Sequence, residues 1–184
     1  MGRLLALVAA LVAGAVIAWA GEQNPSPAPA NAPAATFSAE RAMADVRAIG
    51  SVPHAIGSDA NHAVRDQLLA RMTALGLSPQ VHPGIGFYDR KIGGDLFVTG
   101  GDVENLVGIL PGRDRSAPEV TLMAHYDSVP GSPGAADDAV GVATALETVR
   151  ALKARGVPVR FVMVLLTDGE EAVLLGAEAF FARD

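Results

Sequence analysis

The sequence predicts an α/β domain with a mixed, largely parallel sheet, and three observations carry that prediction. Residues 120–124 and 160–166 are short apolar runs suited to strands, the second apolar enough to be covered on both faces. Between them, residues 139–154 place Val142, Leu146, Val149 and Leu152 on one helical face. Strand, helix and strand in that order imply a right-handed crossover between two parallel strands. Hydrophobic residues make up 50% of the 184-residue chain, enough for a sizeable core in one domain.

The elements follow in order. After Arg3, residues 4–20 are uncharged and rich in Ala, Leu and Val, at the lower limit of what spans a bilayer. Ala18-Trp19-Ala20 before Gly21 also fits a cleavage site, so residues 1–20 read as a signal peptide or an N-terminal transmembrane anchor. The chain is therefore expected to be membrane-anchored or exported. Residues 21–36 form a Pro/Ala-rich linker without amphipathic period, expected to stay extended and mobile.

The folded region begins at Phe37. Ser38 can cap a helix carrying Ala42, Met43, Val46 and Ile49, ended by Gly50 and Pro53. A second helix carries Val64, Leu68, Met72 and Leu75 on one stripe and stops at Gly76. Residues 78–82 fit a short strand, and the Gly-rich residues 83–101 fit either a hairpin or a loop. Residues 105–110 read as a further strand. The crossover helix ends on Lys153, Arg155 and Gly156, and residues 173–181 are helical again.

Composition excludes several functions. A net charge of -6 with no basic stripe, and aromatics at only 5%, remove the footprint a nucleic-acid binder needs. The absence of cysteine excludes a disulfide scaffold, a thiolate metal site and a cysteine nucleophile. Any metal must be held by histidine and carboxylates.

Such residues converge. His125 and Asp127 follow the first crossover strand, Asp137 and Asp138 precede the helix, and Glu170 and Glu171 follow the second strand. Ligands of these sheets bind beyond the carboxyl ends of the strands. Taken singly, His125 is an ordinary strand-end residue, Asp127 and Asp137 are turn or cap residues, and Glu170-Glu171 is an acidic helix start. Taken together, the acidic groups would repel one another without a cation among them. One imidazole with several carboxylates suits zinc, with manganese or cobalt compatible, and a carboxylate can bridge a pair of ions.

Three segments resemble peptidase family M28: His125-Tyr126-Asp127-Ser128-Val129-Pro130, Pro133-Gly134-Ala135-Ala136-Asp137-Asp138-Ala139-Val140-Gly141-Val142-Ala143, and Thr167-Asp168-Gly169-Glu170-Glu171. The resemblance is to the membrane-associated branch of these zinc peptidases and extends to Pro53-His54-Ala55-Ile56-Gly57-Ser58, Asn105-Leu106-Val107 and Leu174-Leu175-Gly176-Ala177. It implies that residues 37–184 are the N-terminal portion of a three-layer α/β/α, phosphorylase/hydrolase-like zinc exopeptidase domain. It also implies two zinc ions, with His125 on one, Glu171 on the other and Asp137 bridging. Glu170 would then be the general base, Asp127 would hold the second imidazole nitrogen, and a cis peptide would follow Asp137.

Departures from the family pattern carry further expectations. The family adds a later Asp and a later His, whereas no histidine follows His125 and Asp184 lies too close to the Glu pair. The chain is therefore expected to be truncated, with two protein ligands per ion. His54, His62 and His82 match no ligand position and read as loop or surface residues. Val173 stands where many relatives have Gly. The implied activity is exopeptidase action on a peptide substrate, with an aminopeptidase first, a carboxypeptidase or glutaminyl cyclase-like enzyme second, and an inactive binding module third.

Overall fold

A computed structural model describes residues 2–182, so Asp184 lies outside the described residues. Helix α1 (Gly2–Gly21) has no buried residue, and its most apolar window has a mean hydropathy of 2.4. Its 20 residues would span roughly 30 Å as a helix, which suits a membrane span; a leader peptide passes the same test.

The expectation of a detached linker fails from Ala28 onward. Helix α2 (Ala39–Ile49) supplies Arg41, whose guanidinium donates to the carbonyls of Ala30 at 2.6 Å, Ala32 at 2.9 Å and Thr36 at 2.6 Å. Arg150 donates to Ala34 at 2.7 Å, and Arg155 to Ala35 at 2.9 Å. Proline offers no N–H, so a Pro-rich tract carries carbonyls in excess of donors, and guanidinium forks satisfy them. Side-chain periodicity cannot register this kind of docking.

Helix α3 spans Asp59–Ala74. Ser38 Oγ accepts the Arg41 N–H and Ser58 Oγ that of Asn61, so each helix starts on a serine cap. Strands β1 (Gln80–Ile92) and β2 (Asp95–Leu110) form one long antiparallel hairpin across residues 83–101. Gly93 and Gly94 make its turn with φ of +61° and +98°, the pair of positive values that a two-residue hairpin loop requires. Val81, Ile85 and Phe87 alternate with His82, Gly84 and Gly86, but Ile85 and Phe87 stay exposed, so main-chain pairing rather than a buried apolar face marks these strands.

Strand β3 (Val120–His125) leads through a turn at Ala135–Ala139 into helix α4 (Val140–Ala154) and then strand β4 (Val162–Thr167). The sheet order is β1-β2-β4-β3, with β3 parallel to β4 and the other neighbours antiparallel. The sheet is mixed, and among the described strands parallel pairing is confined to β3 and β4, rather than extending over most of the sheet.

Helices cover both faces. On one, α2, α3 and α4 bury Leu68, Met72, Val142 and Leu146 against Leu106, Val164 and Leu166. Each fully buried leucine contributes about 2 kcal/mol by leaving water. On the other face, helix α5 (Leu175–Phe181) sets Leu175 and Ala179 on Val103. That helix starts two residues later than its apolar pattern predicts, because Val173 and Leu174 hold φ of +67° and +65°.

Candidate metal centre

His125 is the last residue of β3 and pairs with Thr167, the last residue of β4, so both chains leave the sheet side by side. The turn before α4 carries Asp137 to the same edge. His125, Asp137 and Glu171 each offer a ligand atom, and these atoms lie within 4.8 Å of one another. His125 Nε2 stands 3.0 Å from Asp137 Oδ1 and 3.8 Å from Glu170 Oε2. The Asp137–Asp138 peptide is cis, and Asp138 Oδ1 accepts the Gly141 N–H at 3.0 Å at the start of α4.

The electrostatics match an unneutralised acid cluster. Burial opposes a charge on His125, but hydrogen bonds to Asp127 and Asp137 and the charges of Asp127 and Glu170 outweigh it, pushing its pKa up to about 9. Partial burial, then the charges of Asp137 and Glu170, raise the Glu171 carboxyl above its ordinary range. Among the described residues, the ion pairs of Asp127, Asp137 and Glu170 are all with His125. One imidazole nitrogen and converging carboxylate oxygens, without lysine or arginine, form a donor set that fits zinc.

The cluster rests on Asp127, whose side chain is fully buried. Its carboxylate accepts the N–H of Glu170 at 2.9 Å and of Glu171 at 3.1 Å. His125 Nδ1 lies 3.1 Å from the Asp127 carbonyl and 3.4 Å from Asp127 Oδ1. Asp127 therefore reaches its neighbours, not open space.

Beneath it lies a polar layer that motif reading missed. Asn105 Oδ1 accepts the Asp168 N–H at 3.0 Å, and Asn105 Nδ2 donates to the Gly176 carbonyl at 2.8 Å. Asp168 accepts from Asn61 Nδ2 at 3.1 Å and from the Glu104 N–H at 3.2 Å. Tyr126 donates its hydroxyl to the Glu104 carbonyl at 2.8 Å, and burial raises its pKa. A Cβ on Gly176 would sit 2.1 Å from the Asp168 carbonyl, so α5 can approach the Glu loop only with glycine there. Asn105 and Asp168 stood in the quoted motifs without a role; nothing in the sequence marked Asn61.

The histidines divide. His54, expected in a loop or at the surface, is 1% exposed. Its N–H donates to Ser128 Oγ at 2.8 Å and its carbonyl accepts the Ser128 N–H at 3.3 Å, so the loop from Pro53 folds under the segment that follows His125. His62 is half-exposed beside Glu104, and the His82 ring packs on Phe180.

Comparison with known proteins identifies the family of the fold. Residues 105–184 match the family model for Peptidase family M28. The vacuolar membrane protease of Candida tropicalis is 36% identical over 140 residues, covering 74% of this chain and 15% of that protein. The vacuolar membrane protease of Schizosaccharomyces pombe is 31% identical over 148 residues, 77% of this chain and 17% of that protein. Among solved structures, an aminopeptidase from Aneurinibacillus sp. strain AM-1 superposes with a TM-score of 0.64 at 12% identity, covering 77% of this chain and 65% of that one. A glutaminyl cyclase from Porphyromonas gingivalis gives 0.56 at 24% identity, over 72% and 45%. Fold and family together define a metallopeptidase-like α/β domain. The chain belongs to peptidase family M28 and spans only a small part of the curated relatives' length.

Proposed function

We propose that the domain is a zinc-dependent exopeptidase acting at the amino end of peptides. The convergence of His125, Asp137 and Glu171 ligand atoms within 4.8 Å, with Glu170 alongside, carries this reading. His125 and Glu171 would each hold one ion. Asp137, whose side chain is 79% exposed beyond its contact with His125, would bridge them. Zinc held there supplies a lowered pKa for water and polarisation of the scissile carbonyl.

Glu170 is the general base. Its backbone is pinned by Asp127 while its carboxylate stays at the open side of His125, where it can take a proton from water and pass it to the leaving amine. Asp127 acts by position, fixing the imidazole and both glutamates at once. The neighbouring acidic groups favour a substrate with a free ammonium end. The apolar α1 fits anchoring at a membrane or export across one.

Elemental analysis of a purified protein that carries this domain together with the later Asp and His ligands, with leucine release from leucyl peptides before and after chelation, tests the proposal. Bound zinc and chelator-sensitive release are expected. Release that survives exhaustive chelation overturns the metal mechanism, and cyclisation of glutaminyl peptides without hydrolysis overturns the peptidase assignment.

A further inference from the structure

Beyond the metal centre, β2 has an edge that no strand among the described residues covers. Its ladder with β4 ends at Leu106↔Leu166, whereas β1 accompanies it up to Asp95. Residues 95–105 thus rise past the end of β4, roughly 30 Å at the usual strand rise, beside the loop that bears Glu170 and Glu171.

Glu104 reveals which backbone groups face that loop. Its N–H donates to Asp168 and its carbonyl accepts from Tyr126, both on the β4 side. In an antiparallel strand the N–H and C=O of one residue point the same way and alternate along the chain. Asp102, Gly100, Val98 and Leu96 therefore turn their main-chain groups toward the open side, and all four are exposed. Phe87, which pairs with Gly100, agrees: its N–H points away from β2, to Glu178 at 2.9 Å.

Gly100 and Gly101 add a second observation. Neither has a positive φ, and a Cβ on Gly101 would meet only Leu175 Cδ1, at 3.7 Å. A Cβ on Gly100 would come no closer than 3.3 Å to its neighbours. Backbone conformation does not demand these glycines and crowding does so only weakly; a bare strand is what allows another backbone to come close.

We propose that the β2 edge over residues 96–102 binds the peptide substrate as an added strand, so that the ligand is an extended peptide of about six residues held by its main chain. This rests on the peptidase reading. Strand β2 runs toward the site, so a peptide with its amino end at Glu170 and Glu171 runs outward, antiparallel to β2; a peptide with its carboxyl end there would run parallel. The edge therefore favours amino-end cleavage of extended peptides over dipeptides, with little dependence on side-chain sequence.

The test is amide exchange on the zinc-loaded protein that carries the domain with its later ligands, with a hexapeptide whose first bond resists hydrolysis, beside kinetics of Val98→Pro. Peptide should slow exchange of the Val98, Gly100 and Asp102 amides by about tenfold or more. Val98→Pro deletes one outward N–H at an edge where proline is tolerated. It should lower kcat/KM for the hydrolysable hexapeptide about five- to tenfold and leave leucyl p-nitroanilide unchanged, with Val98→Thr restoring the parent value. A hexapeptide that binds or is cleaved without this protection overturns the edge proposal and leaves the peptidase reading standing. Absence of both binding and cleavage overturns the two together.

Discussion

Asp127 Oδ1 accepts the main-chain N–H of Glu170 at 2.9 Å, while the same carboxylate takes that of Glu171 at 3.1 Å and lies against His125. One buried side chain thus sets the imidazole and the two glutamates relative to one another. Asp127→Asn replaces one of these acceptors with an amide that faces an N–H. Zinc affinity, read by competition with a chromophoric chelator, should fall by about 10- to 100-fold. An unchanged affinity would mean that the contact is incidental to the metal centre.

Glu170 and Glu171 are adjacent, and the proposed function gives them different work. Glu171 belongs to the converging ligand atoms, whereas Glu170 Oε2 stands 3.8 Å from His125 Nε2. Glu171→Gln should reduce bound zinc. Glu170→Gln should keep the metal and lower turnover by about 10² to 10⁴. Equal metal loss in both variants would contradict this division.

The crossover from β3 through α4 to β4 was readable because apolar runs and a helical stripe fall on separate segments, and that crossover brings His125, Asp137 and Glu171 together. The β1–β2 hairpin was not, since it is Gly-rich, Ile85 and Phe87 of its short alternation face solvent, and the strands are held by main-chain bonds. His54 and Asn61 were opaque for another reason: each gains its partner through tertiary approach, Asn61 to Asp168 across 107 positions. The docking of residues 28–36 was hidden likewise, because its acceptors are backbone carbonyls.

Val173 sits at φ +67°, a region costly for a β-branched side chain, and is 42% exposed, so little packing offsets the cost. Val173→Gly should stabilise the fold by about 1 kcal/mol. A denaturant midpoint that stays put or falls would show that the valine side chain contributes contacts worth as much as the strain.

Asp168 gives stability a pH signature. Burial foremost raises its carboxyl pKa from 3.8 to about 6, with Asp127 adding to the shift and hydrogen bonds from Glu104 and Asn61 opposing it. The folded chain then binds the proton more tightly than the unfolded one, so this contribution is present below about pH 4 and lost as pH rises through 6. The loss is at most about 3 kcal/mol. Asp168→Asn lacks this slope. Its stability relative to the parent should rise between pH 4 and 7 in denaturant titrations, whatever constant offset the altered hydrogen bonds impose; a flat difference would mean that Asp168 is ionised throughout.

Glu147 decides whether residues 28–36 stay on the domain. Its side chain is 1% exposed and accepts the Ser38 N–H at 2.9 Å, Arg41 Nε at 3.1 Å and Arg150 Nε at 2.6 Å. The two arginines, 20% and 22% exposed, spend their remaining donors on the carbonyls of Ala30, Ala32, Ala34 and Thr36. Among the described residues, Glu147 is the one carboxylate that pairs with both guanidinium groups. Glu147→Ala should therefore destabilise the domain by on the order of 3 kcal/mol and expose residues 28–36 to limited proteolysis. Glu147→Gln, which keeps one acceptor oxygen and loses the charge, should fall between. With the tract docked, only residues 22–27 separate α1 from the domain, and releasing it lengthens that connection. If Glu147→Ala loses stability while residues 28–36 remain protected, the arginines hold the tract unaided and the carboxylate serves only the packing of α2 against α4.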